Sequence, residues 1–178
     1  LVGALDQYGD VMRYAYDNSL RPADDGKIKP FNFSPTYQVP GEGAAFFLMG
    51  KERTKQSYCA LENLLVGGID GGGPQVDLQI IDTDGMLPNE TAYNRSLLPG
   101  IPTASYSPLF GTMMIGSAFN CAAAALMIRS QELFANPIVE NPNEILLIME
   151  TRKAAVESVR SIRYNCRGRE ASFYLKKL

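Results

Sequence analysis

The sequence predicts a single mixed α/β domain, layered around one buried apolar helix. Three observations carry this expectation. The 178 residues are 46% hydrophobic and 20% charged, an ordinary composition for one globular domain. Short apolar runs of strand length alternate with helix-length segments, and the last of them follow one another as antiparallel-type strands. The segment Phe110 to Phe134 leaves almost no polar face in its first half, the pattern of a helix enclosed inside a protein. No apolar run approaches the roughly 20 residues that cross a bilayer, so a membrane span is not expected.

The elements follow in order. Leu1 to Leu5 opens with strand-like residues, as if the chain began inside a fold. Asp6 to Tyr16 reads as a short helix whose Val11, Met12, Tyr14 and Ala15 can share a face. Arg21 to Pro40, with Pro22, Pro30 and Pro35 among polar residues, reads as a long irregular loop. Gly43 to Met49 is a short continuous apolar run between glycines, which predicts a buried strand. Ala60 to Val66 is a second strand. The glycine run Gly67 to Pro74 reads as a flexible connection, because neither a Gly-Lys-Ser/Thr nor a helix follows to make a phosphate cradle. Val76 to Ile81 is a third strand, Asn89 to Leu98 a short helix and Ile101 to Ser105 another strand. Within Phe110 to Phe134, the four alanines 122–125 let neighbouring layers approach closely, and Cys121 is most simply a small buried hydrophobe. After the turns at Asn136-Pro137 and Asn141-Pro142 come strands at Glu144 to Glu150, Val156 to Tyr164 and Ala171 to Leu175.

Composition excludes several chemistries. The chain has no histidine, so it cannot by itself form a Ser-His-Asp triad, a Cys-His pair or a His-rich metal site. Asp82-Thr83-Asp84-Gly85 with Glu90 fails the ligand spacing of a calcium loop and reads as a turn after a strand. No metal site and no cofactor is expected. Cys59, Cys121 and Cys166 are an odd, widely spaced set, which suits a reducing, cytoplasmic setting better than a disulfide framework. Net charge is −2, which does not suit a nucleic-acid coat. Charge is uneven, however. Residues 151–178 hold 8 Lys/Arg against 2 Glu, while the rest holds 9 against 17. This predicts a solvated basic face or a docking patch for an acidic partner.

Two segments carry a resemblance. Lys29-Pro30-Phe31-Asn32, followed by Val39-Pro40-Gly41-Glu42-Gly43-Ala44-Ala45-Phe46-Phe47-Leu48, resembles the β-ketoacyl synthase family in residue type and spacing. Leu1 to Asp6, Val76-Asp77-Leu78, Phe110-Gly111 with the Ala-rich helix, and Arg163 to Leu175 resemble further stretches of the same family. The resemblance implies the C-terminal part of a thiolase-like layered αβαβα fold, with a mixed sheet and a buried apolar helix. It also implies one thiolase-like domain over residues 1–178 that lacks its N-terminal part.

That family condenses acyl units with a Cys nucleophile, two His and a Lys. The Cys-bearing segment would precede Leu1. On this chain the first His position falls on Asp82, the Lys on Ser107 and the second His on Thr112. The glycine loop of the family reads Asn165-Cys166-Arg167-Gly168, with Cys166 at the gating position. An acidic Asp82 in place of a neutral donor would repel an enolate, and Thr112 cannot cycle protons near neutral pH. The resemblance therefore implies a β-ketoacyl-synthase-like subunit of fatty-acid or polyketide type, inactive on its own. No catalytic residue is assigned. The role that fits is that of a chain-length-factor-type partner of a synthase, in a homo- or heterodimer, with an acyl carrier protein as a further partner. Met113, Phe119 and the 165–168 loop are the tunnel and gating candidates. Two alternatives remain: half of an active synthase whose Cys-bearing half lies elsewhere, and a non-catalytic scaffold that kept only the fold.

Overall fold

The strands that carry the enclosed residues Leu78, Ile80, Ile81, Val159 and Ile162 lie side by side in one sheet. In the computed structural model, which describes residues 1–19, 21–33, 38–67, 74–85, 90–165 and 168–178, β4 (Leu78–Ile81) runs parallel to β8 (Ser158–Tyr164). Their register sets Leu78 against Val159 and Ile81 against Ile162. Around this pair the sheet extends in the order β3-β9-β8-β4-β5, with β3 at Ala60–Val66, β9 at Glu170–Lys176 and β5 at Thr103–Ala104. β9 is antiparallel to β8 and to β3, so the sheet is mixed.

Alternation along the strands builds a core on each face. Leu78, Ile80 and Val159 pack with Ala124, Met127 and Ile128 of α4 (Gly116–Ser130). Ile81 and Ile162 face the other way, toward Phe31, Phe33, Tyr93 and Tyr164. Tyr93 belongs to α2 (Glu90–Ser96) and stacks on Phe33, while Phe31 and Phe33 come from the irregular 21–40 loop. On the far side of α4 lies an antiparallel pair, β1 (Val2–Asp6) and β2 (Gly43–Phe47). A Cβ on Gly43 would stand 2.7 Å from the Phe119 ring tip, so glycine there lets α4 approach the ribbon. The helix is thus held between two sheets, as its lack of a polar face predicts.

Several expectations need correction. The first helix, α1, is Asp10–Ser19, because Asp6 finishes the pairing of β1 with Gly43. Its Val11 and Tyr14 are exposed while Tyr16 is buried. β2 is not a buried strand: only Ala45 is enclosed, and Phe46 is exposed on the open face of the ribbon. Glu144 to Glu150 forms no strand. Glu144 has φ 53°, and the segment touches the sheet through a single bridge from Leu147 to Thr103. Two short pieces were not foreseen, β6 (Glu132–Leu133) and β7 (Arg152–Lys153), which pair with each other. The glycine connection falls outside the described residues from 68 to 73.

The basic C-terminal segment is not one face. Arg160 is buried and ion-paired to buried Glu170 at 2.8 Å. Glu170 also accepts from Ser96 Oγ at 2.9 Å and Tyr164 Oη at 2.7 Å, and Arg160 donates to the Ser96 carbonyl at 3.0 Å. This network ties β8, β9 and the end of α2 together.

Candidate functional site

The ladder between β4 and β8 continues one residue past the strand end, since the Asp82 amide donates to the Ile162 carbonyl at 2.8 Å. Arg163, next on β8, therefore stands beside Asp82. Its guanidinium forks: Nη1 reaches Asp82 Oδ2 at 2.8 Å and Nη2 reaches Asp84 Oδ2 at 3.0 Å. Both nitrogens also donate to the Met113 carbonyl at 3.3 Å, and Nη1 to the Met114 carbonyl at the same distance. Ser117 Oγ donates to Asp82 Oδ2 at 2.7 Å. The Asp82 side chain is fully enclosed, and that of Arg163 is 26% exposed.

This places a carboxylate at the start of α4, where the helix dipole favours negative charge. A Cβ on Gly116 would lie 2.9 Å from Asp82 Oδ1, so the glycine makes room for the carboxylate. Asp82 Oδ1 is buried with no hydrogen-bond partner. Burial pushes the Arg163 pKa down, but Asp82 and Asp84 outweigh it and hold the guanidinium above its ordinary value. Burial, then the Asp82 charge, holds Tyr93 well above its usual range. Tyr93 Oη donates to the Asp82 carbonyl at 2.8 Å.

The structure sets Ser107 and Thr112 against residues 83 and 84, which follow Asp82. Ser107 opens α3 (Ser107–Phe110). Its hydroxyl donates to the Thr83 carbonyl at 2.5 Å and meets Ser105 Oγ at 3.0 Å. Thr112 Oγ1 donates to the Asp84 carbonyl at 2.7 Å and accepts from the Val39 amide at 3.1 Å. Ser107 and Thr112 are both buried. Each hydroxyl proton is therefore committed to the protein's own main chain. Among the described residues the cluster sets one partly exposed cation, Arg163, against the two carboxylates of Asp82 and Asp84.

The Val-Pro-Gly segment has a structural reason for its glycine. Val39 and Gly41 run against Gly111 and Thr112, with the Thr112 amide donating to the Val39 carbonyl at 2.6 Å. A Cβ on Gly41 would lie 1.8 Å from the Phe110 carbonyl oxygen, and Gly111 sits at φ 81°. Gly41→Ala is expected to cost about 1–3 kcal/mol or more through this backbone clash, measured by urea denaturation. A stability equal to the parent's would show that the two loops are not in contact. Beside them opens a cleft of about 380 Å³, lined by Lys27, Ile28, Val39, Pro40 and Phe110 among others.

Of the tunnel candidates, Met113 is fully buried under Arg163, which holds its carbonyl. Phe119 packs on Phe110 with ring centres 5.0 Å apart. Asn165 and Gly168 form the turn between β8 and β9, the Gly168 amide donating to the Asn165 carbonyl at 2.8 Å. Cys166 and Arg167 lie outside the described residues. Cys121 is only partly buried but packs on the α4 core, and burial holds its thiol up at about 11. Among the described residues no group of three His, Cys, Asp or Glu could hold a metal ion, and no helix is long and apolar enough to cross a membrane. In the sequence, Arg163 is marked only as the start of the Arg163–Leu175 stretch that carries part of the resemblance. Its partners Asp82 and Asp84 are set by strand register, which no local motif encodes.

No family model matches the chain, and no curated protein matches it. Solved structures do. Ketosynthase module 1 of the bacillaene synthase from Bacillus amyloliquefaciens matches 99% of this chain and 41% of its own, with TM-score 0.68 and 12% identity. The oxazolomycin ketosynthase domain from Streptomyces albus matches the same shares with TM-score 0.65 and 14% identity. A β-ketoacyl synthase from Burkholderia phymatum matches 99% and 54%, with TM-score 0.64 and 11% identity. The fold is thiolase-like, that of a ketosynthase's C-terminal part. The chain spans between two fifths and just over half of the ketosynthases it matches. At such low identity the likeness establishes the fold and leaves function to the site itself.

Proposed function

We propose that this ketosynthase-like chain does not condense acyl units. It acts beside an active synthase in fatty-acid or polyketide-type chain elongation, in the manner of a chain length factor. The observation that carries this reading is the Arg163 fork on Asp82 and Asp84, at the positions where the resemblance puts the condensing chemistry. An enolate oxygen formed there would meet the unpaired Asp82 Oδ1 and gain no free donor. Supplying a Cys from another chain would not repair this, because the Thr112 proton is already spent on Asp84. That observation weighs against half of an active synthase.

A partner also fits the surface. Leu5, Phe46 and Leu48 on or beside the β1–β2 ribbon and Val11 and Tyr14 on α1 are exposed, large apolar side chains that a partner chain would cover. Its partner in this proposal is a synthase-like chain, with an acyl carrier protein as a second, transient one. Cys59 and Cys121 are free thiols, which suits a reducing, cytoplasmic setting.

Native and denaturing mass spectrometry of the protein purified from its source tests the assembly. A second polypeptide carrying a synthase-like Cys segment is expected. The 19.5 kDa species alone, or paired only with itself, would overturn the partner role and favour a scaffold.

A further inference from the structure

Away from the ketosynthase-like cluster, a cavity of about 470 Å³ opens between the loop after β2, the C-terminal end of α4 and the end of β9. Its size is that of a small-ligand site. Arg53, Lys55, Arg129 and Lys177 all line it, drawn from three separate stretches of chain. Lys177 is paired with Glu157 at 2.7 Å. Among the described residues no carboxylate pairs with Arg53, Lys55 or Arg129, and no Asp or Glu side chain lines the cavity. Leu178 also lines the cavity, so the 178-residue chain brings one α-carboxylate to it; Arg53, Lys55 and Arg129 outnumber that charge and focus a positive potential into the cavity.

The turn that carries Arg53 and Lys55 is ordered by its own hydrogen bonds, and the Arg129 side chain is held by a ring. Arg53 and Lys55 flank a knotted turn in which the Thr54 amide donates to Ser57 Oγ at 2.9 Å and the Gln56 amide to Thr54 Oγ1 at 3.2 Å. Arg129 lies over the Tyr58 ring, 5.5 Å from its centre, a cation–π contact that fixes its direction. The carbonyl end of α4 would oppose an anion, but three of its last four carbonyls already accept hydrogen bonds from the protein. The Gln131 amide bonds Met127 O, Gln131 Nε2 bonds Ile128 O at 2.8 Å, and Lys153 Nζ bonds Ser130 O at 3.4 Å.

The geometry points to a binding site for a small phosphate-bearing ligand of two or more negative charges, held by Arg53, Lys55 and Arg129 with the Tyr58 face beside it. Guanidinium groups fork onto phosphate oxygens better than onto other small anions. The site is independent of the condensing-site proposal, since it shares no residue with it.

Calorimetric titration of the full 178-residue chain with pyrophosphate, ADP and adenosine tests it. Pyrophosphate and ADP are expected to bind, more weakly as salt rises, and adenosine not to bind. Arg53→Gln/Arg129→Gln should weaken both anions by about tenfold or more, as expected for lost hydrogen bonds to a charged group. Lys27→Gln, in the other cleft, should leave them unchanged. Both cavity substitutions are at exposed side chains, so the parent melting temperature confirms that the variant is folded. The inference is overturned if neither anion binds, if the double variant binds them as the parent does, or if adenosine binds as tightly as ADP.

Discussion

Arg163→Met is expected to destabilise the protein by about 3–5 kcal/mol, because it strands the Asp82 carboxylate in the interior without its counter-charge. Asp82 is fully enclosed and has one oxygen with no partner even in the parent. Removing the guanidinium leaves only Ser117 Oγ on its other oxygen and takes a donor from the Met113 and Met114 carbonyls as well. Urea denaturation of parent and variant gives the difference. Asp82→Asn/Arg163→Met should lose much less than the single change, since no buried charge remains. A single-variant loss below about 1 kcal/mol would mean that Arg163 is an ordinary surface cation and that the site is not locked.

The second large effect lies in the Arg160–Glu170 network. Glu170→Gln is expected to cost a similar few kcal/mol at neutral pH, leaving the Arg160 guanidinium buried and uncompensated. Its pH dependence has a definite sign. Burial pushes the Glu170 carboxyl up, but hydrogen bonds from Tyr164 and Ser96 and the Arg160 charge outweigh it and hold it below the usual value. A carboxyl lowered on folding stabilises the native state above its unfolded pKa of about 4.3. That stabilisation is lost as pH falls through the lower native value. The gap between parent and Glu170→Gln should therefore be constant near neutrality and narrow below about pH 4. A gap that stays constant down to acid denaturation would contradict the network's electrostatic role.

The layered fold was legible where burial is two-sided. β4 is enclosed along its whole length because both faces of the central sheet are covered, and α4 lacks a polar face for the same reason, whereas β8 carries Ser158, Arg160, Ser161 and Arg163 among its apolar residues. Sequence failed where one face is open. Phe46 and Val11 are apolar yet exposed, so apolar character alone misread β2 as enclosed and misplaced the buried side of α1. Residues 144–150 look like a strand in composition, but Glu144 turns the backbone and the segment meets β5 only at Thr103, through Leu146 and Leu147. The site was half legible. The resemblance pointed to Asp82, Ser107 and Thr112, and the structure sets Ser107 and Thr112 against residues 83 and 84. What neutralises Asp82 was not legible, because Arg163 is 81 residues away and meets it only through the parallel β4–β8 register.

The most direct test of the account is decarboxylation of a malonyl thioester, followed as carbon dioxide release, by this chain in its native assembly. The account predicts that any turnover belongs to the partner's Cys-bearing site and survives Thr112→Val and Ser107→Ala in this chain, provided each variant still folds and assembles. Turnover that is lost with Thr112→Val in a folded, assembled complex would contradict it. That result would make Thr112 a working part of a condensing site.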